Sequence, residues 1–199
     1  MQFYQGFRIY DDAAEDLQGM MYQQRADGVV DRALAAIKQR QKEKPSFLFV
    51  HLYDPHSPYD PPSPWDERFT DSAYQGDYRQ ERDKTGRLQR AIEAGSADPK
   101  DLAYMSGLYL GEVAFMDAQI GRLLSGLEAE GLLAEALVIF TADHGEILSE
   151  DPIYAYSHGT DVGDGVMRIP LIIRGYGLPI PVGRVVSRQA SLSGLAPTI

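Results

Sequence analysis

The 199-residue sequence contains no cysteine. Disulfide bonds and thiolate metal sites are therefore excluded, because both need a cysteine sulfur. Any metal ion that the chain binds must be held by oxygen atoms and imidazole nitrogens. The sequence has only four histidines, so imidazole ligands can come from few positions.

An excess of positive charge is also missing, since the formal net charge is −10. This charge repels nucleic acid and anionic membrane surfaces, so neither is an expected partner. A small anionic substrate stays compatible with it, because a bound divalent cation can reverse the local field. No apolar run approaches the roughly 20 residues of a membrane-spanning segment. The first residues show no signal-peptide pattern, and the compartment is left open.

Apolar side chains recur at helical spacing in two parts of the sequence. Residues 25–42 carry an apolar stripe with charged residues on the opposite face, which predicts an amphipathic helix. A longer stripe predicts a second helix from about Leu102 to Glu130. Gly131 follows directly, where a glycine commonly ends a helix.

Apolar runs predict strands, and helices between them indicate an α/β fold with a largely parallel or mixed sheet. We expect His51, within the first run, to be a packed and hydrogen-bonded core histidine. The predicted strands are SFLFVHLY (46–53), ALVIFTA (136–142) and IPLIIRG (169–175), and GRVVSRQASLS (183–193) is a weaker candidate for a fourth.

Two segments do not fit regular structure. Residues 54–65, DPHSPYDPPSPW, hold five prolines in twelve residues and cannot form a helix or a strand. Residues 66–100 are charged and dotted with glycines, which favours an excursion or lid loop. We interpret residues 1–199 as a single partial domain that carries this loop.

Acidic and imidazole side chains follow the predicted strands. In α/β sheets, ligands bind beyond the carboxyl ends of the strands. The first strand leads into Asp54 and His56, and the second leads into Asp143 and His144. His158 precedes the third strand. If the first two strands are parallel neighbours, we expect all these residues at one edge of the sheet.

Asp143 and His144 together offer one oxygen and one nitrogen, which suits a divalent cation. Gly145 permits the tight turn or close backbone approach that such a pair needs. Two ligands are too few for a tight site, so others must come from elsewhere. A helix cap beside a surface histidine would produce the same sequence. Similarly, we interpret Asp54 as the first residue of a turn, because a proline follows it. His56 by itself is also typical of a turn.

Five segments, in this order and spacing, resemble the sulfatases of the alkaline phosphatase superfamily. The resemblance extends from YQGF at 4–7 to LAPTI at 195–199. It implies a three-layer α/β/α domain on a mixed sheet. The segments are FLFVHLYDPHSPYDPP, GLYLGEVAFMDAQIGRLLSGLEAEGLL, LVIFTADHGE, SHG and VMRIPLIIRG.

The resemblance also implies roles for single residues. Asp143 and His144 match two ligands of the catalytic divalent cation, for which we expect calcium, with magnesium, manganese or zinc as alternatives. His56 matches a histidine that contacts the sulfate or phosphate group of the substrate and assists catalysis. His158 is the candidate for the basic residue that faces the leaving oxygen. The implied substrate is a small sulfate or phosphate ester.

The sequence departs from the family at the nucleophile. Sulfatases carry it in a Cys/Ser-x-Pro-x-Arg segment that this sequence lacks. We therefore expect a catalytic-domain segment that is inactive without the N-terminal half of the same enzyme, which in complete form could be periplasmic or secreted. One alternative is a phosphatase, phosphodiesterase or phosphoethanolamine-transferase relative, in which Asp54, His56 and His158 help a second ion. Another is a non-catalytic remnant.

Overall fold

The structure is a computed structural model whose chain divides into two compact units, Met1–Gly131 and Leu132–Ile199. Within the part of the chain that it describes, no helix is both long and apolar enough to cross a membrane. The described residues are 4–12, 15–16, 22–79, 84–151, 155–159 and 162–199.

The first unit is mainly helical, and both predicted long helices are confirmed. The elements are a short antiparallel pair, β1 (Glu15–Asp16) and β2 (Tyr22–Gln23), the helices α1 (Ala26–Lys38), α2 (Lys84–Glu93) and α3 (Pro99–Ala129), and two 3-10 helices, Trp65–Glu67 and Asp77–Arg79.

Helix α3 has a defined signal at each end. The Asp98 carboxylate accepts the backbone N–H of Lys100 at 2.8 Å, and Pro99 occupies the first helical position. Both features suit a helix start, since the first N–H groups have no partner inside the helix. At the other end Gly131 has φ +72°, a conformation that glycine adopts without steric cost. The stop predicted at Gly131 is confirmed.

Helices α1 and α3 pack against each other and form much of the core of the first unit. Val30 of α1 and Met105 of α3 are fully buried. Beyond the end of α1, the guanidinium of Arg40 lies 2.8 Å from the carboxylate of Glu130 and donates a second hydrogen bond to the Glu130 carbonyl at 2.9 Å. The hydrogen bond from Arg40 to the carboxylate holds the pKa of the Glu130 carboxyl below its ordinary value.

The first predicted strand is wrong. Residues 46–53 have no regular secondary structure, and Phe47 and Phe49 are 73% and 71% exposed. His51 is exposed, so the prediction that it is a packed core histidine is wrong as well. A strand depends on hydrogen bonds to a neighbouring strand, and among the described residues none pairs with this segment.

The second unit contains β3 (Ala136–Thr141), the short helix α4 (Asp164–Met167), β4 (Leu171–Tyr176) and a 3-10 helix, Leu192–Gly194. Strands β3 and β4 pair antiparallel, with Ile139 opposite Ile173. The second and third predicted strands are thus confirmed. The fourth, at 183–193, is wrong: these residues form no strand, and Val185 and Val186 are 93% and 68% exposed.

Candidate functional site

The chain turns sharply at Asp143 and His144, just after β3. The backbone N–H of His144 donates to Oδ1 of Asp143 at 2.9 Å. The Nδ1 atom of His144 lies 2.8 Å from the carbonyl oxygen of Gly145. Because a carbonyl oxygen only accepts, Nδ1 carries a proton, and in this tautomer the ring presents the lone pair of Nε2. This is the nitrogen that can bind a cation.

The pair has the spacing of two ligands of one ion. Nε2 of His144 lies 3.8 Å from Oδ1 of Asp143. Metal–nitrogen and metal–oxygen bonds of roughly 2.0 to 2.6 Å each let two atoms at this distance reach the same ion. Among the described residues, no group of three or more histidines and acids forms a metal site. The pair therefore fits a divalent cation as part of a larger donor set.

Gly145 places this turn directly against the backbone of α4. Its N–H donates to the carbonyl of Val166 at 2.7 Å. A Cβ at position 145 would lie 2.1 Å from the carbonyl oxygen of Gly165, closer than side-chain atoms approach a backbone oxygen. The close backbone approach predicted at Gly145 is therefore present, and only glycine fits.

His158 lies beside His144 because the chain between them folds back. Ile147 and Ser157 exchange two backbone hydrogen bonds, of 3.2 and 3.3 Å. The two imidazole rings stack with centroids 4.2 Å apart and an angle of 24° between their planes. The structure thus brings together three of the predicted site residues, Asp143, His144 and His158, within the second unit.

Glu146 completes this cluster, and the sequence analysis missed it. Its side chain is only 6% exposed, and its two carboxylate oxygens lie 3.2 and 3.3 Å from Nδ1 of His158. A carboxylate at Nδ1 accepts a hydrogen bond from the Nδ1–H group and so orients Nε2 away from the carboxylate. The signal was present in the sequence, where an acid follows the Asp-His-Gly triplet.

His56, the fourth predicted site residue, lies in the first unit, in the proline-rich segment. Its Nδ1 atom lies 2.7 Å from the carbonyl oxygen of Ser57. Its ring lies against the Tyr53 ring, with centroids 4.4 Å apart. The same tautomer argument applies, so Nδ1 carries a proton and Nε2 is on the opposite side of the ring.

Asp54, a candidate ligand of a second ion, has a role in the fold. Its Oδ2 atom accepts the backbone N–H of Ala26 at 2.9 Å. Ala26 is the first residue of α1, where a carboxylate satisfies an N–H group and interacts favourably with the helix dipole. Burial raises the pKa of Asp54, and the backbone hydrogen bonds oppose that rise.

Glu112, on α3, is a second acid that the sequence analysis missed. It is 5% exposed. One of its oxygens accepts the backbone N–H of Asp60 at 2.7 Å, and the other accepts that of His56 at 3.1 Å. Burial raises the pKa of Glu112 to about 8, with the charge of Asp54 adding to the rise and the two N–H groups opposing it. The sequence does indicate that this acid is buried, because position 112 lies on the same helical face as Met105 and Phe115.

Known proteins resemble this chain along its length. A family model described as Sulfatase matches residues 2–199. An arylsulfatase from Clostridium perfringens is 27% identical, over 86% of this chain and 36% of its own length. The uncharacterized sulfatase YidJ of Escherichia coli is 31% identical, over 87% of this chain and 35% of its own length. The chain therefore spans little more than a third of the length of these relatives.

Two further matches bear on fold and chemistry. A solved structure of a sulfatase candidate, yidJ from Bacteroides fragilis, superposes with a TM-score of 0.57 at 22% identity. The match covers 79% of this chain and 32% of that one, and it shows a shared α/β fold. The multifunctional alkaline phosphatase superfamily protein PehA of Trinickia caryophylli is 24% identical, over 85% of this chain and 36% of its own length.

Proposed function

The chain belongs to the sulfatase family, and we propose that it is a segment of a metal-dependent hydrolase of small sulfate esters. The observation that carries this proposal is the arrangement after β3. There the available nitrogen of His144 lies 3.8 Å from the carboxylate of Asp143, and His158 stacks on the same ring. Residues that merely cap a turn would not need this second imidazole.

Asp143 and His144 are the proposed cation ligands, with calcium as the expected ion. When bound, such an ion neutralises charge on the transferred group and activates the nucleophile. The hydrogen bond from His144 to the Gly145 carbonyl keeps Nε2 available for the ion. The remaining ligands come from outside the described residues in this proposal.

His158 and His56 are the proposed substrate contacts. His158 directs its Nδ1–H group towards Glu146. As an imidazolium it would also carry a proton on Nε2, which it could deliver to the leaving oxygen of the ester. His56 holds its Nδ1 proton towards Ser57. It can therefore donate to a sulfate oxygen only through a protonated Nε2, and that form of the ring would also bring a positive charge to the anion.

The nucleophile, in this proposal, comes from outside these 199 residues, because the sequence has neither a cysteine nor the family's Cys/Ser-x-Pro-x-Arg segment. We propose a single α/β/α domain on a mixed sheet for the complete enzyme, with residues 66–100 as an excursion near the substrate. Within that segment Tyr74 donates to the Asp101 carboxylate at 2.6 Å and stacks on Tyr104, which anchors it to α3.

A phosphate ester is the second candidate substrate. It is supported by the similarity to PehA, whose name assigns that protein to the alkaline phosphatase superfamily and calls it multifunctional. The same ligands and histidines would serve it, because sulfate and phosphate esters present similar tetrahedral anions.

The test is turnover of paired aryl sulfate and aryl phosphate substrates by the complete enzyme, with and without calcium. We expect calcium-dependent hydrolysis that prefers the sulfate ester, loss of activity in His144→Ala, and no turnover by the 199-residue chain alone. A preference for the phosphate ester would select the second candidate. Retention of full activity in His144→Ala would refute both.

A further inference from the structure

The buried side chain of Glu112, on α3, binds the backbone of the proline-rich segment (residues 54–65) that carries His56. Glu112 accepts the backbone N–H groups of both His56 and Asp60, at 3.1 and 2.7 Å. These two groups lie four residues apart in a segment without regular structure. A single carboxyl therefore supplies the hydrogen bonds that a helix or sheet would otherwise provide.

The neighbouring contacts leave this segment little freedom to shift. A Cβ at Gly111 would lie 2.6 Å from the carbonyl oxygen of Trp65 and 2.9 Å from Cγ of Pro61. The backbone after the loop thus lies directly on the helix, one residue away from Glu112. On the other side, the carboxylate of Asp60 faces Lys84 Nζ at 3.7 Å.

Burying a carboxyl is costly unless its hydrogen bonds are satisfied. An apolar residue at position 112 would avoid that cost, but it would remove the acceptor of two part-buried N–H groups. The chain retains the acid in spite of the burial that raises its pKa. The contacts show what the acid binds there: the backbone N–H groups of His56 and Asp60.

We propose that Glu112 is a positioning residue for His56, holding the imidazole at the place where it meets the sulfate group of the substrate. The inference rests on the proposed function of His56. Glu112 itself contacts no substrate in this proposal; it acts through the two backbone N–H groups. Fixed geometry matters because a displacement of about 1 Å at a reacting group can lower the rate by roughly 100-fold.

Glu112→Gln is the sharpest variant, since it keeps size and removes one acceptor. Each oxygen of a carboxyl retains a lone pair, protonated or not, whereas the amide nitrogen of glutamine only donates. Glutamine can therefore bind one of the two N–H groups, and alanine neither. The matched control is Glu128→Gln, on the exposed part of the same helix.

Amide hydrogen exchange tests the two hydrogen bonds that Glu112 accepts, without any assay of activity. In the purified chain we expect exchange at His56 and Asp60 to become roughly tenfold faster in Glu112→Ala, as loss of a hydrogen bond predicts. Glu112→Gln should accelerate one of the two, and Glu128→Gln neither. Unchanged exchange at both amides in Glu112→Ala would overturn the inference.

Kinetics of the complete enzyme test the positioning role. We expect Glu112→Gln to lower kcat/KM by roughly 10- to 100-fold and to weaken competitive inhibition by inorganic sulfate. The double variant with His56→Ala should be no slower than His56→Ala alone, which a general loss of stability would not produce. Normal kinetics in Glu112→Gln beside a slow His56→Ala would overturn the inference and leave the proposed function standing. Normal kinetics in His56→Ala would instead refute the proposed role of His56, and the positioning role with it.

Discussion

The imidazole of His158 lies within 3.2 Å of the buried carboxylate of Glu146, twelve residues earlier in the chain. The carboxylate faces Nδ1 with both oxygens, and the ring of His144 stacks on the same imidazole. A buried acid in this place orients the ring. We therefore expect Glu146 to act on the chemistry of the proposed site through His158.

Removing Glu146 should slow the complete enzyme only through His158. We expect Glu146→Ala to lower kcat by roughly 10- to 100-fold, as for other residues that orient a functional histidine. His158→Ala should lower it by roughly 10²- to 10⁴-fold, the usual contribution of a general acid. The double variant should match His158→Ala. Steady-state kinetics on an aryl sulfate give the three values, and additive losses would show that Glu146 acts independently.

Cation binding should depend on Asp143 more than on the overall negative charge. Asp143→Asn removes a proposed ligand oxygen, and Glu135→Gln removes the same charge from an exposed position in the same unit. We expect calcium affinity, measured by calorimetry on the complete enzyme, to fall at least roughly tenfold in the first and to stay within about twofold in the second.

Equal effects of the two variants would mean that calcium responds to the general field of an acidic protein. Binding that survives Asp143→Asn unchanged would favour a non-catalytic remnant. Neither outcome depends on an assay of turnover.

Two glycines of α3 should respond to alanine in opposite directions. At Gly111 the new Cβ would meet the Trp65 carbonyl oxygen at 2.6 Å, whereas at Gly121 it would meet nothing within 4 Å. We expect Gly111→Ala to lower the free energy of unfolding by about 1 to 3 kcal/mol, the usual cost of overpacking. Gly121→Ala should raise it by about 0.5 to 1 kcal/mol, because alanine favours the helix. Urea unfolding measures both, and a stabilised Gly111→Ala would contradict the contact with the loop.

The stability of the protein should fall as the pH rises from about 4.5 to about 8, because of Glu112. Its pKa is about 8 in the folded chain, against an ordinary value of 4.5. Between these values the folded carboxyl keeps a proton that the unfolded one has released, so a rise in pH favours unfolding. The charges of Asp54 and Asp60, which face Glu112, act in the same direction.

Glu112→Gln does not titrate and should lose less stability over this range. One pKa unit corresponds to about 1.4 kcal/mol. The difference in free energy of unfolding between wild type and variant should therefore change by a few kcal/mol over this pH range. Urea unfolding at pH 5 and pH 8 measures it. Parallel changes in wild type and variant would show that Glu112 titrates normally.

The sequence by itself determined the elements whose hydrogen bonds are local. Helix α3 could be predicted from its apolar spacing and its glycine stop, because helical hydrogen bonds join residues four apart. The Asp143–His144 pair could be predicted as well, since covalent adjacency already places an oxygen and a nitrogen together. The two apolar strands β3 and β4 could be read from their composition.

Only the tertiary structure decided what depends on distant partners. Residues 46–53 have a strand-like composition but form no strand here, because a strand exists only through a neighbour. Glu146 meets His158 across 12 residues, and Glu112 meets the backbone of His56 across 56. A local pattern marks each acid, but it does not specify which distant group the acid meets. They arise when packing buries an acid beside the groups that can satisfy its hydrogen bonds, and we expect them to hold the two histidines in place.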